Sequence, residues 1–173
     1  MKKFILILSI LLWIPFITKA EPVSEMQNKA SQYLKSLGKS VIVVDSKIEW
    51  REQANTYHLV IKSIENGMHL MVLESSTNGP IGNPELKNRE KLYLIASMFQ
   101  ERLPLIKISI SPVLAGDTAI FDKDKSYNDI EYFSYKANID TIFETSDELL
   151  KILEICVPFI EEATTTCRSA LTN

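Results

Sequence analysis

The chain contains little of what most catalytic or metal-binding sites require. Its 173 residues include only two cysteines and two histidines. No Gly-x-Ser-x-Gly nucleophile elbow occurs, and no Gly-rich loop ends in Gly-Lys-Ser or Gly-Lys-Thr. A structural zinc site needs four ligands close together, of which two thiols supply only half. The sequence therefore identifies no catalytic residue and predicts neither a metal nor another cofactor, and we expect a protein that is not an enzyme.

The two histidines are expected to act separately. His58 and His69 flank Asn66-Gly67, a dipeptide typical of two-residue hairpin turns. Pairing across that turn places Ile64 opposite His69, with both histidines on one face of the hairpin and about 20 Å apart. They are predicted to be partly exposed strand residues that share no metal ion.

An excess of basic residues is also lacking. Lysine and arginine together number 19 against 22 acidic residues, which gives a formal net charge of −3. Without Lys2, Lys3 and Lys19 the balance is 16 to 22, a charge of −6. Nucleic-acid binding needs a basic patch, and a helix on anionic lipid needs a basic face. We therefore expect no nucleic-acid partner. No apolar run after the N-terminal segment is long enough to cross a bilayer, so we expect no stable membrane span once that segment is cleaved.

The N-terminal segment is the longest apolar stretch of the chain. Two lysines precede the apolar run from Phe4 to Ile17, and Ala20 ends the segment with a small side chain of the kind that signal peptidase recognises. As a helix, those 14 residues reach about 21 Å, short of a hydrocarbon core of about 30 Å. The pattern predicts a signal peptide at residues 1–20 and a single exported domain at 21–173, located in the periplasm or secreted.

Three later segments show the apolar spacing of amphipathic helices. The first ends at Gly38, a residue suited to the position after a helix, and the second ends before Pro104, which blocks continuation. The third opens with Thr145 and Glu148 in the T-x-x-E pattern of a capping box. The expected inner stripes are Met26, Ala30, Tyr33, Leu34 and Leu37; Leu92, Ile95, Ala96, Phe99 and Leu103; and Leu149, Leu150, Ile152, Leu153 and Ile155.

Strand signals lie on both sides of the second helical segment. Residues 40–76 contain three β-branched or alternating runs that predict an antiparallel meander. Three more runs follow at residues 105–111, 118–124 and 129–139. Because no β-α-β alternation repeats, a parallel sheet is not expected. The order α-βββ-α-βββ-α predicts an α+β fold with an antiparallel sheet of about six strands and three helices packed on one side.

The two cysteines lie in the third helical segment, and two interpretations remain open. On a continuous helix, Cys156 and Cys167 belong to one buried face and stand about 16 Å apart. A disulfide needs Cα atoms within about 7 Å. Pro158 and the three threonines at 164–166 could break the helix and let the chain turn back. Because exported proteins often oxidise their cysteines, a disulfide between Cys156 and Cys167 is slightly favoured over two buried thiols.

Aromatic side chains are the candidates for a partner surface, because aromatic residues are enriched at interfaces. Core packing explains the same residues and is the more common role. The candidates are Trp50, Tyr57, Tyr132, Phe133 and Tyr135.

The order of elements resembles a known small-domain family. The stretch "YLKSLGKSVIVVDSKIEW" ends a helix at Gly38 and enters a strand, "KLYLIASMFQERLPLIKISIS" passes from helix to strand, and "DIEYFSYKANI" leads to the last helix. This order, over about residues 25–163, is similar to the YbjN-like and type III secretion chaperone-like α+β fold. The resemblance implies a small protein-binding domain, usually dimeric and not catalytic. The chaperones of that group are cytoplasmic, whereas this chain has an export signal.

Two functions follow as expectations. The first is an exported, non-catalytic protein-interaction domain of the bacterial cell envelope, of a chaperone-like kind, with a protein partner or a second copy bound to it. The second is a periplasmic binder of a small apolar ligand or lipid, held in a pocket between the sheet and a helix. The residues expected to line that pocket are Val60, Leu73, Ile106, Ile108 and Ile110.

Overall fold

The structure, a computed structural model, describes the backbone of residues 21–77, 86–114 and 130–172, and the side chains of residues 21–77, 90–111 and 134–170. Within these ranges the chain forms three α-helices and six strands. In order, they are α1 (Val23–Ser36), β1 (Val41–Val44), β2 (Lys47–Glu52), β3 (Asn55–Ser63), β4 (His69–Thr77), α2 (Leu86–Arg102), β5 (Ile106–Leu114), β6 (Ile130–Phe143) and α3 (Ser146–Thr172).

The six strands form one sheet in the order β1-β2-β3-β4-β6-β5, and every neighbouring pair is antiparallel. The predicted α+β fold, with three helices and an antiparallel six-stranded sheet, is confirmed. The strands are distributed differently from the expectation. The run at residues 40–52 divides at a turn where Asp45 has a φ of +54°, so four described strands precede α2. The strand predicted at 118–124 lies outside the described residues.

The core lies between one face of the sheet and the helices. Side chains alternate between the two faces of a strand, and here alternate residues are buried. Helix α1 packs against β1 and β3, α3 against β4 and β6, and α2 against β5 and α3. Buried side chains on the sheet face that the helices cover include Ile48, Trp50, Tyr57, Leu59, Ile61, Met71, Leu73, Tyr135, Ala137 and Ile139.

The ends of two helices follow the sequence signals. At the end of α1, Gly38 has a φ of +80°, a conformation that favours glycine. The Gly38 N–H donates to the Lys35 carbonyl at 2.9 Å, and the Lys39 N–H donates to the Leu34 carbonyl at 3.1 Å. These two hydrogen bonds satisfy carbonyl groups that have no donor within the last turn of the helix.

At the start of α3 the predicted cap forms with its second bond moved by one residue, from the Thr145 N–H to the Glu144 N–H. The Thr145 hydroxyl accepts a hydrogen bond from the Glu148 N–H at 3.3 Å, and the Glu148 carboxylate accepts one from the Glu144 N–H at 2.8 Å. A second carboxylate, that of Glu21, accepts the Ser146 N–H at 2.9 Å. The side-chain bond from Lys29 and the bonds from Ser146 lower the pKa of Glu21 to about 2. The first described residue of the domain thus caps its last helix.

The β3–β4 hairpin forms as predicted, but its register differs by one residue. Ser63 pairs with His69, and His58 pairs with Glu74. A 3₁₀ turn at Glu65–Gly67 lengthens the loop, and the Ile64 N–H donates to the Met68 carbonyl at 2.9 Å across it. A loop of five residues therefore replaces the expected two-residue turn.

The register shift separates the two histidines. A shift of one residue moves a side chain to the other face of the sheet. His69 is consequently buried beneath the helices and stacks on Phe143, with ring centroids 5.5 Å apart. His58 lies on the face that no described helix covers. The prediction that the two imidazoles share a face is wrong, and so is the expectation that His69 is partly exposed.

Candidate interaction surface

Helix α2 has large apolar side chains on both of its sides. Its inner stripe packs into the core as predicted: Leu92, Ala96 and Phe99 are buried, and Ile95 and Leu103 pack against them. Its other side, which we call the α2 outer face, consists of Tyr93, Leu94, Ser97 and Met98. On this face Leu94 is 64 % exposed, Met98 54 % and Tyr93 44 %, and Ser97 adds only a small side chain between them. The sequence signal was present in the run "LYLIASMF", which is too apolar for a helix with one solvated side.

Contacts with α3 fix the orientation of α2. The Phe99 ring meets the Phe159 ring edge to face, with centroids 5.5 Å apart. The Arg102 guanidinium lies 5.1 Å from the centroid of each ring and forms two bonds with the Glu162 carboxylate, at 2.8 and 3.1 Å. Aromatic packing and a cation over the rings both favour one rotation of the helix. The outer face is therefore held away from the core.

Charged residues flank the α2 outer face at both ends. Glu90 and Lys91 are exposed one turn before Leu94, and Glu101 is exposed one turn after Met98. The surface thus has an apolar centre between groups of both signs. This is the arrangement of a protein-binding surface, in which a polar rim surrounds an apolar centre.

A second apolar surface lies at one edge of the sheet. Among the described strands, β1 pairs only with β2, and its Ile42, Val43 and Val44 side chains are each more than half exposed. The opposite edge strand, β5, contains Lys107 and Pro112, and a register irregularity interrupts its pairing near its end. Charge, proline and bulges are devices that prevent strand addition, and β1 has none of them. Its shortness, four residues, is its main protection.

The sheet face opposite the helices has a charged patch, beside which lie the apolar side chains of Val60 and Val72. Glu49, His58 and Glu74 are aligned across β2, β3 and β4. The His58 Nδ1 lies 3.5 Å from Glu49, and Lys136 lies 3.0 Å from Glu74. Burial, and next the charge of Lys47, lower the pKa of His58, so the imidazole is neutral at neutral pH. These cross-strand charges keep the patch solvated, so it is not an apolar docking surface.

The aromatic residues predicted as a partner surface are not on the surface where they are described. Trp50 and Tyr57 are each 1 % exposed and Tyr135 is 2 % exposed. The Trp50 and Tyr57 rings stack with centroids 5.2 Å apart under the helices. These three residues belong to the core, which corrects the prediction. Tyr132 and Phe133 lie in β6, and their side chains are outside the described residues.

Beneath α3, polar groups interrupt the apolar core. The Ser75 and Thr164 hydroxyls are 2.7 Å apart, and Thr164 also donates to the Ile160 carbonyl at 2.6 Å. Burial raises the pKa of Tyr57 to about 12, and the nearby charge of Glu161 acts in the same direction. The pairing of Thr164 explains why the threonine run does not end α3, since its hydroxyl is satisfied inside the helix and against β4.

Both cysteines lie on α3, which is continuous from Ser146 to Thr172 through Pro158. The thiols of Cys156 and Cys167 are free and buried. A continuous helix keeps them about 16 Å apart, too far for a bond. The structure therefore has two buried thiols instead of the disulfide that the sequence slightly favoured.

Thiol labelling distinguishes these two states. Burial raises the pKa of Cys156, and it raises that of Cys167 to about 12. Because the thiolate is the reactive form, we expect a disulfide-exchange reagent to react slowly with the native chain at mildly alkaline pH, and to count two thiols per chain once the chain is unfolded. A count of zero before reduction, rising to two after it, would show an oxidised pair.

The five residues expected around an apolar ligand do not surround a common cavity. Leu73 and Ile106 are in the core, and Ile108 and Ile110 pack against it. Val60 pairs with Val72 and lies on the opposite face of the sheet. A pocket of about 380 Å³ lies elsewhere, near the start of α3. Its lining combines apolar and charged side chains: Met68, Ile142, Phe143, Glu144, Glu148, Lys151 and Ile152.

Metal sites and membrane-spanning helices are both absent from the described part of the chain. The side chains of residues 21–77, 90–111 and 134–170 include no group of three histidine, cysteine, aspartate or glutamate residues that could hold a metal ion. In the same part of the chain, no helix is both long enough and apolar enough to cross a membrane.

Comparisons with known proteins find similarity to a solved structure but no matching family. No protein-family model matches the chain, and no curated protein matches it. Among solved structures, the chain is similar to YbjN from E. coli, with a TM-score of 0.39 and 9 % identity over 84 % of this chain and 87 % of that one. This similarity does not place the chain in a family.

Proposed function

We propose that this chain is an exported, non-catalytic interaction domain that binds another protein through the α2 outer face. The observation that carries the proposal is the presence of large apolar side chains on both sides of α2. A helix with apolar residues on every side is normally buried on every side. The core covers only the inner stripe, and Leu94 and Met98 remain exposed in the single chain. A protein surface that covers them would remove this apolar area from water.

Export is part of the proposal, and it rests on the signal-peptide pattern at residues 1–20. The resemblance of the element order to chaperones of type III secretion supports the same role, since it implies a small domain that binds proteins. In this proposal the domain acts in the periplasm or outside the cell.

The chemistry of the α2 outer face favours a protein over a lipid surface. A helix that lies on a membrane carries lysine and arginine along its polar side. Here Glu90 and Glu101 stand at the two ends of the apolar centre, and Lys91 is adjacent. Mixed charge around an apolar centre suits a partner with complementary charges, whereas anionic lipid would repel the two carboxylates.

Site-specific photo-crosslinking in intact cells tests the proposal. A photoreactive residue replaces Leu94, and in a control chain it replaces Ser109, which is exposed on β5. We expect a protein adduct from position 94 and none from position 109. The captured protein is identified by mass spectrometry and produced pure, and Met98→Glu should then weaken its binding at least about tenfold, because a central contact is lost.

Two outcomes oppose the proposal. Adducts of equal yield from positions 94 and 109 would show random collision instead of a docking surface. A lipid adduct from position 94 would favour the alternative function, the binding of an apolar ligand or lipid, over the binding of a protein.

A further inference from the structure

We propose that the contacts of Glu21 close the bond between residues 20 and 21 to signal peptidase, so that the N-terminal segment is removed before the domain finishes folding. The inference rests on the export part of the proposed function and goes beyond it, because it sets the order of two steps in maturation. It is carried by the anchoring of Glu21 in the folded domain and by the place of that anchor in the sequence.

The folded domain holds both carboxylate oxygens of Glu21. Oε1 accepts a hydrogen bond from the Lys29 ammonium on α1 at 2.6 Å, and Oε2 accepts one from the Ser146 N–H at the start of α3 at 2.9 Å. The side chain is 22 % exposed. Hydrogen bonds with a charged partner are stronger than neutral ones. Glu21 therefore ties the start of the domain to its last helix.

The backbone that follows Glu21 is fixed as well. The Pro22 carbonyl accepts the Glu25 N–H at 3.0 Å and the Met26 N–H at 3.2 Å, so it belongs to the first turn of α1. Val23 packs against the core, and Met26 is buried. A protease cuts the opened form of a folded chain, because it needs an extended segment around the bond that it cleaves. Cleavage before Glu21 would therefore require the Glu21 bonds to break and the first turn of α1 to open.

The anchor of Glu21 on α3 forms late. Ser146 follows Glu21 by 125 residues, and it begins the last helix. When export accompanies synthesis, at about 5–20 residues per second, that distance corresponds to roughly 6–25 s in which Glu21 has no partner on α3. The bond before Glu21 is thus open to signal peptidase while the chain emerges, and it closes once α3 has packed on the sheet.

Cleavage of the full precursor by purified signal peptidase, in a mild detergent that preserves the fold, tests the inference. The unfolded reference is a peptide of residues 1–30, which contains the same bond but lacks α3. We expect the folded precursor to be cut at least about tenfold more slowly than the peptide, because cleavage then waits for an opening that breaks charge-assisted bonds. Mass spectrometry locates the cut, and circular dichroism verifies the fold.

Glu21→Ala should make the folded precursor a faster substrate, by about tenfold relative to a peptide with the same substitution. Only the first turn of α1 then has to open, and helix ends open readily. The matched control is Glu25→Ala, since Glu25 approaches the same Lys29 ammonium, at 3.6 Å, from within α1. We expect this variant to be cut at the rate of the unchanged precursor. An equal gain from both substitutions would indicate a general loosening of α1 and would overturn the role of Glu21.

Equal rates for the folded precursor and the peptide overturn the inference, as does a folded precursor that Glu21→Ala leaves slow. In both results the peptide is still cut, so the export part of the proposed function stands. A peptide that signal peptidase leaves intact would instead refute the export signal, and the inference with it. Protein binding by the α2 outer face is decided separately, by the crosslinking at position 94.

Discussion

Replacing Trp50 by alanine is expected to lower the free energy of unfolding by about 3–5 kcal/mol, the range for truncating a large buried aromatic side chain. Trp50 is 1 % exposed, stacks on Tyr57 and donates its Nε1–H to Glu161 at 3.2 Å. The truncation leaves a cavity, removes the stacking and leaves the carboxylate with one donor fewer. Urea unfolding followed by circular dichroism measures the loss as a lower midpoint with an unchanged slope.

The matched control is Ile155→Ala on α3. Ile155 is 63 % exposed, so its truncation should change stability by no more than about 0.5 kcal/mol. A Trp50→Ala chain with unchanged stability and lost partner binding would return Trp50 to the partner surface that the sequence suggested.

The second large effect is expected at Glu161. Its carboxylate lies 2.8 Å from the Lys39 ammonium and accepts the Trp50 N–H, and its side chain is only 17 % exposed. Burial alone would lower the pKa of Lys39, but Glu161 and Glu52 raise it. Glu161→Ala leaves the largely buried Lys39 ammonium with Glu52 as its remaining partner among the described residues. We therefore expect the free energy of unfolding to fall by about 2–4 kcal/mol.

The neighbouring Glu162 provides the control. It bonds Arg102 in two places, but both side chains are half exposed, at 50 % and 52 %. Solvent screens such pairs, so Glu162→Ala should cost at most about 1 kcal/mol. Equal losses for the two substitutions in chemical unfolding would mean that Lys39 is solvated when Glu161 is absent.

Apolar periodicity was sufficient to predict the helices and their inner sides. Leu149, Leu153, Cys156, Ile160 and Ala163 share a face because residues three and four apart lie above one another on a helix, and all five are buried. Two outer members of the predicted stripes, Leu37 and Ile155, are exposed instead, at 45 % and 63 %. Both side chains lie at the edge of an apolar stripe. The spacing of residues within one helix predicts the stripe, but it does not predict which neighbouring element covers the edge of that stripe.

Strand register was less predictable, because it depends on the length of the loop. Asn66-Gly67 predicted a hairpin correctly, but a 3₁₀ turn around Asn66 added residues to the connection. A single residue of shift was enough to move His69 into the core. Local turn signals indicate that two strands pair, while the packing of the helices decides which residues of those strands are covered.

The residues that the sequence suggested for a partner surface are not those of the proposed surface. Aromatic side chains were expected at the partner surface, and Trp50, Tyr57 and Tyr135 are in the core because α3 covers the sheet there. The exposed surface is on α2, where Leu94 and Met98 form a second apolar side. A helix with apolar residues on two sides has a weaker apolar periodicity than a helix with one apolar stripe. The inner stripe of α2 was therefore predicted from the sequence, and its second apolar side was not.

Strand β1 lies far from the proposed interaction surface. It is at the edge of the sheet opposite β5, the strand that α2 packs against. A chain whose α2 outer face is occupied therefore still exposes valine and isoleucine side chains at the other edge of its sheet. An exposed edge strand is a template to which another chain can add a strand. Four residues offer few main-chain groups for such pairing, so the brevity of β1 is what protects the chain from growing into larger assemblies.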